Sequence, residues 1–145
     1  MKKLQSMIIT KRQTMKLNKT TQKIDNNVCK ALTIACEDFL HEIDGFIWLT
    51  HRANYTNFPA SLVVTCIFDI DAEVITTKEN KLDDVIRDII QKQLLKAGIV
   101  LKNVRQNIHL DSEESCLREH NGEWPKRLKL RVDKQKPTKS SHLRR

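Results

Sequence analysis

A chain of 145 residues with a net charge of +8 and only three glycines offers no glycine-rich phosphate cradle. It has no apolar run of membrane-span length, which argues against a transmembrane helix. The length suits one domain of ordinary size flanked by two polar ends.

The charge is unevenly spread. Residues 1–24 carry +7 and residues 126–145 carry +8, so residues 25–125 carry −7. Basic ends attract phosphate backbones without reading sequence, and an acidic body opposes their close approach. Solvated tails that aid solubility are the plainer reading of the same pattern.

Residues 1–24 are expected to be a basic disordered arm. The apolar run Met7–Ile9 is too short for a secretory signal, and Lys11 and Arg12 follow it at once. Met15 opens a compact start, so residues 1–14 read as an extension from an early start codon or as the arm itself. Residues 25–125 are expected to form the folded domain. Asp25 or Asn26 is placed as the cap of a helix to about Ile43, with Val28, Leu32, Ala35, Cys36, Phe39 and Ile43 on its apolar face. Gly45 suits the left-handed residue beyond the helix end. Phe46–His51 and Leu62–Phe68 read as strands, the second apolar on both faces. The ten residues between them cannot hold a helical crossover, so the strands pair antiparallel. Ile70–Glu79 reads as a connector. Asn80 is placed as the cap of a second helix through Ala97, with the stripe Leu82, Val85, Ile86, Ile89, Ile90, Leu94 and Ala97. Ile99–Leu110 reads as a broken strand, Asp111 and Glu114 as a capping box for a helix to about His120, and Trp124 as an anchor. Residues 126–145 are expected to be a basic disordered tail. The expectation is a single small α+β domain, helix–strand–strand–helix–strand–helix, its central antiparallel hairpin covered by helices. Both apolar helix faces are needed on the sheet, which predicts a monomer or weak oligomer.

Cys29, Cys36, Cys66 and Cys116 form no CxxC pair and, with no signal peptide, read as reduced thiols of a cytoplasmic protein. The most distinctive surface candidate is the loop Arg52–Ser61 with His51 at its mouth, where His51, Arg52, Asn54, Tyr55, Asn57 and Phe58 mix donors, acceptors and rings. It either holds a ligand or partner, or tucks Tyr55 and Phe58 into the core while the asparagines make local turns. Cys116 and His120 stand four apart and Asp69 lies two before Asp71, spacings that can hold a metal; helix packing and strand termination are the plainer readings, so no metal site or cofactor is expected. No nucleophile with a partnering base is visible, so no enzyme is expected.

Cys29–Lys30–Ala31–Leu32, Gly45–Phe46 with Trp48–Leu49–Thr50–His51, Asn54–Tyr55, Phe58–Pro59–Ala60–Ser61–Leu62, and Asp111–Ser112–Glu113–Glu114 with Glu119–His120 and Gly122 carry a resemblance. Over Ile24 to about Leu128 the chain resembles a family of small uncharacterised gammaproteobacterial proteins, some labelled Fis family transcriptional regulators. The resemblance implies a fold and a bacterial cytosolic setting, and supplies no catalytic residues.

Two functions follow as expectations. The first is a non-enzymatic regulatory protein that contacts nucleic acid or a nucleoprotein through Lys11, Arg12, Lys16, Lys126, Arg127, Lys129 and Arg131. The second is a protein–protein adaptor using the acidic body and the Arg52–Ser61 loop.

Overall fold

The computed structural model describes residues 18–135. Helix α1 spans Lys19–Asp38 and is capped by Asn18, whose side chain accepts from the Thr21 amide at 2.8 Å. It therefore starts six residues before the expected cap, and Asp25 lies inside it. Asp25 shares the buried stripe with Val28, Ala31, Leu32, Ala35 and Cys36. The helix stops at Asp38, and a 3-10 turn follows over Leu40–Glu42. That change of phase turns Leu40 inward and leaves Phe39, expected in the core, exposed. Gly45 then takes a φ of +87°, where a Cβ would stand 2.9 Å from the Glu73 side chain.

Strand β1 (Phe46–Arg52) pairs antiparallel with β2 (Val63–Phe68), as expected, with an irregularity between Phe46 and Trp48. Every residue of β2 is buried. The expected connector after it is a helix, α2 (Asp71–Glu79). Glu73, in its first turn, accepts from the amides of Asp69 and Ile70 at 3.2 and 3.3 Å, which fixes the helix start. Asn80 closes α2 and does not cap the next helix; α3 (Leu82–Lys96) begins after Lys81 in the left-handed region. The buried face of α3 contains Asp83 and Arg87, while the expected core residue Val85 is exposed. Arg87 explains the rotation: Nη1 donates to Asp83 at 2.7 Å and Nε to the Ile108 carbonyl at 3.1 Å.

Only the end of the expected third strand is extended. Val104–Asn107 forms a short helical turn, α4, because Asn107 Nδ2 donates to the carbonyls of Leu62 and Ala60 at 2.7 and 3.2 Å. Strand β3 (Ile108–Ser112) then pairs parallel to β2, giving a mixed sheet in the order β1-β2-β3. Helix α5 (Glu113–His120) is capped by Ser112, whose Oγ accepts from the Ser115 amide at 2.9 Å. Asp111, the expected cap, belongs to the strand. Residues 124–135 form a further helix, α6 (Trp124–Gln135), where a disordered tail was expected beyond residue 125. Trp124, Arg127 and Leu128 recur on one face of it, and Arg127 and Leu128 are buried.

The fold is a single small α+β domain. On one face of the sheet, Leu49, Val64, Cys66, Phe68 and Leu110 pack with Val28, Leu32, Ala35, Ile86, Ile90 and Leu94 of α1 and α3. Toward α5 and α6, Trp48 donates to Glu113 at 2.7 Å and its ring meets that of Trp124 edge-on at 5.6 Å. Among the described residues, no helix is long and apolar enough to cross a membrane.

Candidate functional site

The apolar layer between α1 and the sheet ends in a polar corner. Asp25 and Cys29 stand four apart on α1 and therefore share a face. His51 lies two residues beyond Leu49 on β1, so its side chain points to the same layer. His51 Nε2 is 2.8 Å from Asp25 Oδ1, and the two side chains are 2% and 5% exposed. The Tyr55 hydroxyl donates to the same Oδ1 at 2.5 Å. The Cys29 thiol donates to Oδ2 at 4.0 Å. One carboxylate thus organises an imidazole, a phenol and a thiol. His51 Nδ1 is buried and has no hydrogen-bond partner, and the same holds for Thr65 Oγ1 elsewhere in the sheet.

The Arg52–Ser61 loop is folded onto this corner. Tyr55 and Phe58 are half-buried and stacked, with ring centroids 5.3 Å apart. Asn54 Oδ1 accepts from the amide and hydroxyl of Thr56 at 3.0 and 2.6 Å. Asn54 and Ser61 exchange two further bonds at 2.9 and 2.7 Å, and the Asn57 carbonyl accepts from Ser61 at 2.9 Å. The asparagines therefore make local turns, the Phe58–Pro59 bond is cis, and Arg52 leans to the Pro125 carbonyl at 3.5 Å. His51, expected at the loop mouth, is inside the protein.

The other metal pairings of the sequence are otherwise engaged. Asp71 accepts from Ser112 and Ser115 hydroxyls, each at 2.5 Å, and from Arg118 at 3.0 Å. Those two hydroxyls, and then Arg118, pull its carboxyl down to about 2. Asp69 is exposed nearby. Cys116 is buried, and His120 Nδ1 lies 3.1 Å from Arg127 Nη1. Among the described residues, the group of metal-ligating side chains that converges is Asp25, Cys29 and His51.

Arg127, expected on nucleic acid, is a buried clasp. Its Nε and Nη2 donate to the two Asp111 oxygens at 2.6 and 2.9 Å, and Nη1 donates to Glu119 at 2.8 Å. Lys126 and Lys129 are exposed, and Lys126 approaches Glu123 at 3.4 Å. Lys11, Arg12 and Lys16, and the side chain of Arg131, lie outside the described residues.

The sequence reading missed Asp25 and Cys29 as site residues. Their signal was an aspartate three and seven residues before Val28 and Leu32, at a core position of the helix, with a thiol one turn on. Asp is so common at helix caps that this position read as a helix start. Set against protein-family models, curated proteins and solved structures, the chain matches none.

Proposed function

We propose that this chain is a non-enzymatic binding protein that meets nucleic acid through its basic ends. The observation that carries the reading is the segregation of charge: −7 over residues 25–125 against +7 and +8 at the ends. Helix α6 gives the C-terminal end a shape. Trp124 and Arg127 tie it to Glu113 and Asp111, while Lys126, beside Glu123, and Lys129 are exposed to solvent. A basic helix fixed to the body presents its cations together, where a random tail would have to order on binding. The reading implies backbone contacts with no base preference.

Fluorescence anisotropy of the full chain with duplex DNA and single-stranded RNA over a salt series tests it. The expected result is a linear fall of log affinity with log salt, with no sequence preference. Lys126→Gln and Lys129→Gln should each lower the slope by about one unit. Absence of binding at low salt, or binding indifferent to salt, would overturn the reading.

A further inference from the structure

The structure assigns a zinc-type metal site to Asp25, Cys29 and His51. One ligand atom from each lies within 4.8 Å of the others, which is close enough for a single ion to reach all three. Two rigid elements supply them: α1 holds Asp25 and Cys29 one turn apart, and β1 brings His51 across from them. Sulfur, nitrogen and carboxylate oxygen together suit a borderline ion such as Zn²⁺, whereas Ca²⁺ and Mg²⁺ take oxygen shells.

The spacing is nearly that of a bound ion. Zinc bonds of about 2.0–2.3 Å at a tetrahedral angle separate neighbouring ligand atoms by roughly 3.3–3.6 Å. His51 Nε2 and Asp25 Oδ1 stand at 2.8 Å, and Cys29 Sγ and Asp25 Oδ2 at 4.0 Å. These two pairs need to move by about half an ångström, and the His51 and Cys29 ligand atoms lie within 4.8 Å of each other. On binding, the Cys29 S–H bond breaks, a zinc–sulfur bond forms, and the proton passes to solvent. His51 Nε2, which holds a proton against Asp25 in the metal-free protein, releases it to solvent and gives the freed lone pair to the ion, while the neutral ring takes its one proton on Nδ1. Tyr55, already donating to Asp25, would hold the carboxylate in place from outside the shell. Three protein ligands leave a fourth position for water.

Nδ1 sets the strength of the site. A ligating histidine normally donates its second N–H to a carbonyl or carboxylate, and His51 Nδ1 has no such partner. The affinity should therefore fall about 10–100-fold below that of a fully supported site. Cys36, Cys66 and Cys116 are buried, and burial pushes all three thiols up, so thiolate–metal signals report Cys29.

The test is titration of the reduced full-length protein with Co²⁺ as a coloured substitute, followed by displacement with Zn²⁺. The expected result is a thiolate-to-cobalt charge-transfer band that saturates at one equivalent and disappears with zinc. It should be absent from Cys29→Ser with the far-ultraviolet circular dichroism unchanged; Cys29→Ala serves if the serine unfolds the chain. Asp25→Asn and His51→Gln should weaken it at least tenfold. No band from the wild type at any cobalt concentration would overturn the assignment. So would a band that survives in the Cys29 variant, or one indifferent to both Asp25→Asn and His51→Gln.

Discussion

Two buried carboxylates hold this protein together in contrasting ways. Asp111 meets Arg127 through both oxygens, and that guanidinium also reaches Glu119 and the Ser115 carbonyl. Asp25 meets an imidazole, a phenol and a thiol, and the imidazole keeps one nitrogen unpaired. The first is a closed network that pins α6 to β3. The second gathers three metal-ligating groups around incomplete hydrogen bonding. A buried polar cluster that satisfies its members specifies structure; at the second cluster the converging oxygen, nitrogen and sulfur are what a metal would use, and the unpaired nitrogen stays a weakness of the site.

The largest effect should come from breaking the closed clasp. Arg127→Met leaves Asp111 buried without its cation and should cost about 3–5 kcal/mol in urea unfolding. Asp25→Ala at the open corner removes the partner of His51 and Tyr55 and should cost less, about 1–3 kcal/mol on the same assay. If the order reverses, the corner is the main structural clasp and the contrast fails.

Asp71 sharpens the comparison at the surface, where serine hydroxyls and Arg118 hold a carboxyl at about 2. A depressed folded value contributes stability above the unfolded carboxylate value of about 3.9 and loses it as pH falls toward about 2. The melting temperature of Asp71→Asn should therefore change less between those limits than that of the wild type. Smallest of all, the double substitution Lys126→Gln with Lys129→Gln should leave urea unfolding within about 0.5 kcal/mol. It should still lower the salt slope of nucleic-acid binding by about two.

The legible parts of the sequence were those whose own pattern decides the outcome. The hairpin follows from two β-rich runs and a loop too short for a crossover. The turn at Gly45 follows from its place after a helix and before a strand. Where long-range bonds decide, the sequence misleads. Helix α2 was missed because its inward face is short, with Thr77 its one fully buried residue. The alternation before Ile108 looked like strand until Asn107 turned to cap Leu62 and Ala60. Helix α6 is so basic that nothing local announces a buried Arg127; its carboxylate lies sixteen residues earlier on a different element. The corner hid for a similar reason. Its first two ligands form a helix pair, and the third arrives only through the packing of β1 on α1.

The most direct measurement is the zinc-dependent shift in melting temperature of the wild type, Asp25→Asn and Arg127→Met, at equal protein concentration. Zinc should stabilise the wild type by about 2.7 kcal/mol at a hundredfold excess over Kd. Arg127→Met should melt lower yet gain as much from zinc, and Asp25→Asn should gain at most about half as much, about 1.4 kcal/mol. An equal gain in Asp25→Asn, or none in the wild type, would contradict the metal assignment.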